Sequence, residues 1–151
     1  IQISSTGVFG KNEGVVDEET IPIANDARSN LLLEAEKEVL KQSNGYIVRA
    51  AGLYDENNHP IHFIAGKNNI KNSNGSINLV HRKDLAEILF DLLLKEDIPK
   101  ITHAVHPDHP KREIYYKEKA KNFNLIEPEF ESTSGIDKVV TSRLKRNWRK
   151  L

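Results

Sequence analysis

Cysteine is absent from the 151 residues, and this absence excludes disulfide bonds and thiolate chemistry. It also fits a protein of the cytoplasm, where disulfides are rare. The sequence contains no apolar run long enough to span a bilayer, and no cationic leader followed by an apolar stretch and a cleavage site. Charge of one sign is not in excess, because Lys plus Arg and Asp plus Glu number 22 each. The zero net charge gives no electrostatic reason to expect a nucleic acid or an acidic membrane as a partner.

Methionine is absent as well, and the chain begins with the apolar residues Ile1 and Ile3. Because chain termini normally lie exposed and need not be apolar, we expect Ile1 to be an internal residue of a longer protein. A hydrophobic fraction of 38% and a charged fraction of 29% are typical of a polar globular chain. A length of 151 residues suits one domain.

Apolar periodicity and turn residues predict an alternation of strands and helices. The predicted strands cover residues 1–4, 46–51, 77–80, 101–105 and 138–140. The predicted helices cover residues 28–42, 83–95 and 111–123, followed by a short helix that is capped by Thr141 and carries Leu144 and Trp148. Residues 11–27 and 55–75 are predicted as loops, the second with a short apolar insert. The order of strand, helix and strand at the start indicates a βαβ unit, so we predict an α/β fold in which strands 1–4 and 46–51 are parallel.

Three consecutive hydroxyl residues, Ser4, Ser5 and Thr6, follow the apolar start of the first predicted strand. Hydroxyl groups at the carboxyl end of a parallel strand lie where α/β sheets bind ligands. Such residues also satisfy the backbone groups of turns, so the residues alone favour a ligand site and a turn about equally.

In residues 3–10, ISSTGVFG, a Ser pair precedes a turn of small, hydrophobic, aromatic and Gly residues. This segment resembles the strand-end signature of the extended short-chain dehydrogenase/reductase family, in its NAD-dependent epimerase/dehydratase branch. The other segments follow in the family's order over nearly the whole chain: residues 49–54 (RAAGLY), 59–67 (HPIHFIAGK), 78–86 (NLVHRKDLA) and 109–116 (HPKREIYY). Lys138 and the Arg143–Leu144 pair are similar to the family's tail.

The resemblance implies the C-terminal part of a Rossmann-like, doubly wound parallel sheet with a small substrate-side α/β subdomain. Residues 1–54 would be the last part of that sheet, and residues 55–151 the substrate-side subdomain with one returning strand and helix, within a single domain. The N-terminal nucleotide-binding half with its Gly-rich loop would be absent. The implied cofactor is NAD or NADP, and the implied substrate is a small molecule such as a nucleotide sugar. Because a sheet without its first strands has an open edge, we expect homo-oligomers or association with the missing N-terminal part.

The resemblance also implies roles for individual residues. Ser5 matches the family's catalytic Ser or Thr, and the cofactor contacts would come from Ser4, Ser5 and Thr6. The implied substrate contacts are Arg49, Gly52, Tyr54 and His81. From the residues themselves, Arg49 is more simply explained by an ion pair with a carboxylate, and His81 either contacts a ligand or bonds to backbone.

The sequence departs from the family at the positions that carry its chemistry. The family's Tyr-x-x-x-Lys motif aligns with Arg28 and Leu32, which cannot act as general acid or base near neutral pH. Gly52 replaces an Asn that contacts substrate in many sugar-nucleotide enzymes. Tyr115 and Lys119 form a Tyr-x-x-x-Lys sequence on a later helix, which we interpret as a coincidence with Lys119 solvated. We therefore expect an NAD(P)-binding, epimerase/dehydratase-like protein without ordinary Tyr–Lys catalysis, the alternatives being a non-catalytic nucleotide- or metabolite-binding or scaffold protein and a small interaction domain.

Two further clusters are explained without a special function. The spacing of His103, His106 and His109 would suit a metal on one helical face, but Pro107 and Pro110 prevent a helix there, so no metal site is predicted. The basic residues between positions 138 and 150 are predicted to be a solvated helix face.

Overall fold

A computed structural model of the protein describes residues 1–95, 98–132 and 135–151. The strands in these ranges are β1 Gln2–Ser5, β2 Gly14–Val16, β3 Ile47–Ala50, β4 Gly52–Tyr54, β5 Leu79–His81, β6 Ile101–Ala104 and β7 Lys138–Val140. The helices are α1 Ala27–Leu40, α2 Ile61–Ile64, α3 Arg82–Leu94 and α4 Arg112–Asn122, with a 3-10 turn at Thr6–Phe9. The mixed α/β class expected from the pattern is confirmed.

The central sheet has the strand order β1-β3-β6, and all of its pairs are parallel. Gln2 pairs with Ile47 and Ser5 with Ala50, so the parallel pairing predicted for the first two strands is confirmed. β3 is buried along its whole length because it lies between two strands, which explains its continuous apolar run. β1 lies at the edge of this sheet, where Ile3 remains 53% exposed.

Two shorter parallel pairs complete the strand structure. β2 pairs with β7, and β4 pairs with β5. β2 and β4 each have three residues, and neither is predicted from the sequence. β7 is equally short, and its prediction at residues 138–140 is confirmed. The loop predicted at residues 11–27 therefore contains a strand, whose hydrogen-bond partner comes from the far end of the chain.

The prediction of a short helix after Thr141 is wrong. Residues 141–151 form neither helix nor strand. Thr141 donates its backbone N–H to the Val16 carbonyl, 2.8 Å away, and so continues the β2–β7 pairing instead of capping a helix. Further along, Arg146 and Arg149 bind Asp84 and Glu87 on α3. We call residues 141–151 the tail.

Two apolar clusters form the core. The larger one packs around the central sheet and includes Phe9, Val48 and the α3 residue Ile88. The smaller one joins β4, β5 and α4 through Tyr54, Leu79 and Tyr115, among others. Within the described ranges, no helix is long and apolar enough to cross a membrane.

Candidate functional site

A cavity of about 360 Å³ opens at the carboxyl end of β1, and we call it the Ser5 cavity. Its lining residues are Ser5, Gly7, Gly10, Asn25, Asp26, Arg28, Ser29, Leu32 and Lys138. The Ser5 hydroxyl accepts a hydrogen bond of 3.0 Å from the Gly7 backbone N–H, so this serine also caps the 3-10 turn. The structure thus brings Ser5 together with Arg28 and Leu32, the two positions aligned with the family's Tyr and Lys.

Asp26 and Lys138, which line the Ser5 cavity, are already engaged within the chain. Asp26 caps α1 by accepting a 2.7 Å hydrogen bond from the Ser29 N–H, and such bonds lower its pKa. Lys138 donates to the Phe9 carbonyl at 2.6 Å, and burial lowers the pKa of its ammonium group. None of the lining residues is a tyrosine, so the cavity has no phenol beside the Ser5 hydroxyl.

The predicted ligand contacts Ser4, Thr6 and Arg49 are buried. Arg49 forms a two-pronged ion pair with Glu36 of α1, with Nη2–Oε2 at 2.7 Å and Nε–Oε1 at 3.1 Å. Both side chains are almost completely buried, which confirms the ion pair that the sequence favoured for Arg49. The guanidinium group is therefore engaged inside the protein, and a substrate contact for Arg49 stays a prediction.

Tyr54 and His81 lie in a second cavity, of about 300 Å³, which shares no lining residue with the Ser5 cavity. We call it the β4–α4 cavity, and it is lined by Tyr54, Asp55, Glu56, His59, His81, Lys119, Phe123, Arg149, Lys150 and Leu151. The rings of Tyr54 and His81 meet edge to face, 5.1 Å apart. The Tyr54 hydroxyl donates to the Lys150 carbonyl at 3.1 Å, and burial together with the charges of Asp84 and Glu56 raises the pKa of Tyr54 to about 12.

His59 is a site residue that sequence reasoning names only as the start of the segment 59–67, without a role. It is 3% exposed, and its Nε2 lies 2.9 Å from the Tyr115 hydroxyl oxygen. Burial and the neighbouring Lys119 lower the pKa of His59 to about 4, so the ring is neutral at pH 7. Its burial depends on Tyr115, which is far away along the chain, and no local pattern reports such a contact.

Lys119 is half-buried, and the prediction that it is solvated is wrong. Its Nζ lies 5.2 Å from the centre of the Tyr115 ring and donates to the Leu151 main-chain oxygen at 2.6 Å. Burial lowers the pKa of its ammonium group. The Tyr115–Lys119 pair is thus a packed part of the β4–α4 region.

The remaining predicted positions have local roles. Gly52 is exposed on β4, and a Cβ atom there would lie 2.7 Å from the Leu79 side chain, so the residue permits close packing of β4 on β5. His81 also caps α3, because its Nδ1 accepts from the Lys83 N–H at 3.1 Å. His103 bonds to the Thr141 carbonyl and His109 to the Ile77 carbonyl, so their Nδ1 atoms have separate backbone partners.

Several solved structures that resemble this chain contain NAD or NADPH. No protein-family model matches the chain. A protein of Methylobacillus flagellatus assigned to the NAD-dependent epimerases/dehydratases superposes with a TM-score of 0.76 at 24% identity, covering 93% of this chain and 53% of that one. MoeE5, solved with UDP-glucuronic acid and NAD, superposes with a TM-score of 0.74 at 15% identity, over 93% of this chain and 55% of the other. The chain therefore has the Rossmann-like fold of the epimerase/dehydratase proteins.

The sequence is also similar to a curated protein of Escherichia coli K12. This relative, Protein YeeZ, is 33% identical over 141 residues, which make up 91% of this chain and 51% of the relative. The chain thus spans about half the length of the curated relative.

Proposed function

We propose that this chain is the C-terminal, substrate-side part of an NAD(P)-binding, epimerase/dehydratase-like protein of the extended short-chain dehydrogenase/reductase family, and that this protein lacks ordinary Tyr–Lys catalysis. The observation that carries the proposal is the lining of the Ser5 cavity, where Arg28 and Leu32 take the place of a phenol and an ammonium group. The likeness to structures that bind NAD supports the cofactor class. The cytoplasmic location stays a prediction.

The residues around Ser5 fit the edge of a dinucleotide site. In sheets of this kind ligands bind beyond the carboxyl ends of the strands, and the Ser5 cavity lies at the end of β1. Ser5 would bind the nicotinamide side of the cofactor or a substrate oxygen, with Ser4 and Thr6 supporting the turn. When bound, the dinucleotide would supply a hydride acceptor or donor.

Proton transfer is the step for which this cavity lacks a suitable group. A Ser hydroxyl can position a substrate oxygen, but it needs an adjacent base to move a proton. Arg28 has no lone pair to offer, and Asp26 is a weak base because its hydrogen bonds lower its pKa. Lys138 donates to the Phe9 carbonyl, so its ammonium group is engaged by the backbone. A positioned general acid or base typically contributes about 10²–10⁴-fold in rate. We therefore expect turnover to be lower by that factor than in a relative that has the Tyr–Lys pair.

The substrate class in this proposal is a small molecule such as a nucleotide sugar, because MoeE5 was solved with UDP-glucuronic acid and with UDP-glucose. Tyr54 and His81 remain the proposed substrate contacts among the four residues named from the sequence. If the full-length protein binds the cofactor but turns over no substrate, it belongs to the non-catalytic alternative, a nucleotide or metabolite sensor or scaffold.

The test uses the full-length protein that contains this chain. NADH and NADPH binding is measured by fluorescence, and turnover by nicotinamide absorbance with a panel of sugar nucleotides and simple alcohols. We expect binding without robust turnover. Robust turnover that disappears in Ser5→Ala would contradict the absence of a catalytic base, and failure to bind either dinucleotide would contradict the cofactor class. Ser43→Ala, in the turn after α1 and outside the Ser5 cavity, is the matched control.

A further inference from the structure

The proton of the Tyr115 hydroxyl has no acceptor among the described residues. The Ile61 backbone N–H donates to His59 Nδ1 at 3.1 Å, so Nδ1 carries a lone pair. A neutral imidazole has one ring proton, which must then lie on Nε2. Because Nε2 lies 2.9 Å from the Tyr115 hydroxyl oxygen, that oxygen accepts the bond. The proton of the hydroxyl is consequently free to bind another oxygen.

Lys119 offers a second set of donors beside this hydroxyl. It follows Tyr115 by one turn of α4, and its Nζ is bound to one acceptor, the main-chain oxygen of Leu151. In the part of the chain that the structure describes, no Asp or Glu side chain forms an ion pair with Lys119. An ammonium group has three protons, so Lys119 can bind further oxygen atoms.

Lys119 and Leu151 also line a third cavity, of about 570 Å³, which is bounded by residues 107–110 and α4 and includes Tyr115 in its wall. We call it the α4 cavity. The His59–Tyr115–Lys119 group thus lies where the β4–α4 cavity and the α4 cavity meet. Tyr54, His59 and Phe123 provide ring surface on the side of the β4–α4 cavity.

The carboxylates of the β4–α4 cavity have partners of their own. Asp55 pairs with Arg82 at 3.1 Å. It also accepts hydrogen bonds from the backbone N–H groups of Asn57 and Asn58. Glu56 lies 3.6 Å from His81 Nε2. In the α4 cavity, Asp108 and Glu118 are exposed to solvent. Among the described residues, neither Asp108 nor Glu118 forms a hydrogen bond or an ion pair with Tyr115 or Lys119, although, beside the larger effect of burial, the charge of Glu118 acts to raise the pKa of both groups.

We propose that this junction is a second ligand site, which binds an oxyanion, a phosphate or a carboxylate, carried on a small ring-shaped molecule. The oxyanion accepts one hydrogen bond from the Tyr115 hydroxyl and one from the Lys119 ammonium group, whose present acceptor is the Leu151 main-chain oxygen. The ring of the ligand packs against Tyr54, His59 and Phe123. The site lies outside the Ser5 cavity, because neither cavity shares a lining residue with it. It includes Tyr54, one of the substrate contacts proposed above, so the inference rests on that part of the proposed function and adds the donors Tyr115 and Lys119 to it.

The experiment is isothermal titration of the full-length protein with phenyl phosphate, benzoate and phenol. We expect at least one of the two anions to bind at least about tenfold more tightly than phenol, since a hydrogen bond to a charged group contributes roughly one to two decades of affinity. Tighter binding of phenyl phosphate assigns the site to phosphates, and tighter binding of benzoate to carboxylates. No binding of either anion, or equal binding of phenol, overturns the proposal.

Variants on α4 separate the site from general electrostatics. Lys119→Met should weaken the better anion about tenfold, and Tyr115→Phe about threefold or more. Lys121→Met removes the same charge from an exposed position of the same helix, outside both cavities, and should change affinity less than about twofold. An equal loss in Lys119→Met and Lys121→Met would refute the site.

The variant Tyr115→Phe needs a folding control, because it leaves the His59 N–H without an acceptor. Circular dichroism shows whether this variant folds. If Tyr115→Phe does not fold, the comparison of Lys119→Met with Lys121→Met decides the question. The probes are not dinucleotides, so the result is independent of cofactor binding.

Discussion

The free energy of unfolding should depend strongly on the buried ion pair between Glu36 and Arg49. The substitution Glu36→Gln tests this pair, because it replaces one carboxylate oxygen by an amide nitrogen. In Glu36→Gln the side chain keeps its shape but loses its charge, while the guanidinium group cannot release its proton. Arg49 Nη1 already has no hydrogen-bond partner among the described residues, so no spare acceptor is at hand. Breaking one partner of a buried pair typically costs about 3–5 kcal/mol, which is a large part of the roughly 5–15 kcal/mol that stabilises a domain. We expect Glu36→Gln to lower the free energy of unfolding by about 3 kcal/mol or more.

Urea unfolding of the full-length protein, followed by far-ultraviolet circular dichroism, measures this loss. Glu38→Gln is the matched control, because it breaks the exposed Lys41–Glu38 pair on the same helix and should change stability by less than about 1 kcal/mol. The double variant Glu36→Leu/Arg49→Leu removes both charges, and we expect it to recover most of the loss, since apolar replacements of buried pairs are often neutral or stabilising.

Two results would refute the reasoning. If Glu36→Gln costs no more than Glu38→Gln, the pair is not as desolvated as its burial indicates, and Arg49 would be available to a ligand. If the double variant is as unstable as Glu36→Gln, the loss comes from packing rather than from an unpaired charge. Either outcome would reopen the substrate role that the family resemblance implies for Arg49.

The features that the sequence predicts correctly are consecutive elements, each of which has a clear apolar pattern of its own. The β1–α1–β3 unit follows from a short apolar strand, a helical stripe and a second apolar run. The proximity of Ser5 to Arg28 and Leu32 in one cavity follows from that topology, since the helix begins beside the end of β1. The resemblance to a family adds the alignment of Arg28 and Leu32, which explains why these two positions could be named from the sequence.

The features that the sequence misses depend on partners far along the chain. β2 exists because Gly14 meets Lys138, and neither segment alone has a strand pattern longer than three residues. The tail has Leu144 and Trp148 at helical spacing, but Arg149 binds the fully buried Asp84, and this contact decides its path. Buried polar groups are specified by contacts of this kind rather than by periodicity, and the β4–α4 cavity is built mostly from them.

Two further predictions test the buried histidine and the open edge of the sheet. His59 has a folded-state pKa of about 4 against 6.5 in the unfolded chain, so its neutral form favours folding and stability falls as pH drops from about 6.5 towards 4. This group should contribute about 2 kcal/mol less at pH 5 than at pH 7.5, and the urea-unfolding curves of His59→Gln should lack that part of the pH dependence; parallel pH profiles would contradict it. The edge strand β1 exposes Ile3, which is 53% accessible, beside unpaired backbone groups. Such an edge pairs readily with another strand, so the isolated 151-residue chain should self-associate in light-scattering measurements. Ile3→Lys should shift it towards the monomer because a charge on an edge strand opposes pairing, whereas Ile21→Lys, at an exposed loop position, should not. A wild-type chain that stays monomeric at about 100 μM would show that the edge is protected in some other way, since exposed apolar edges normally associate.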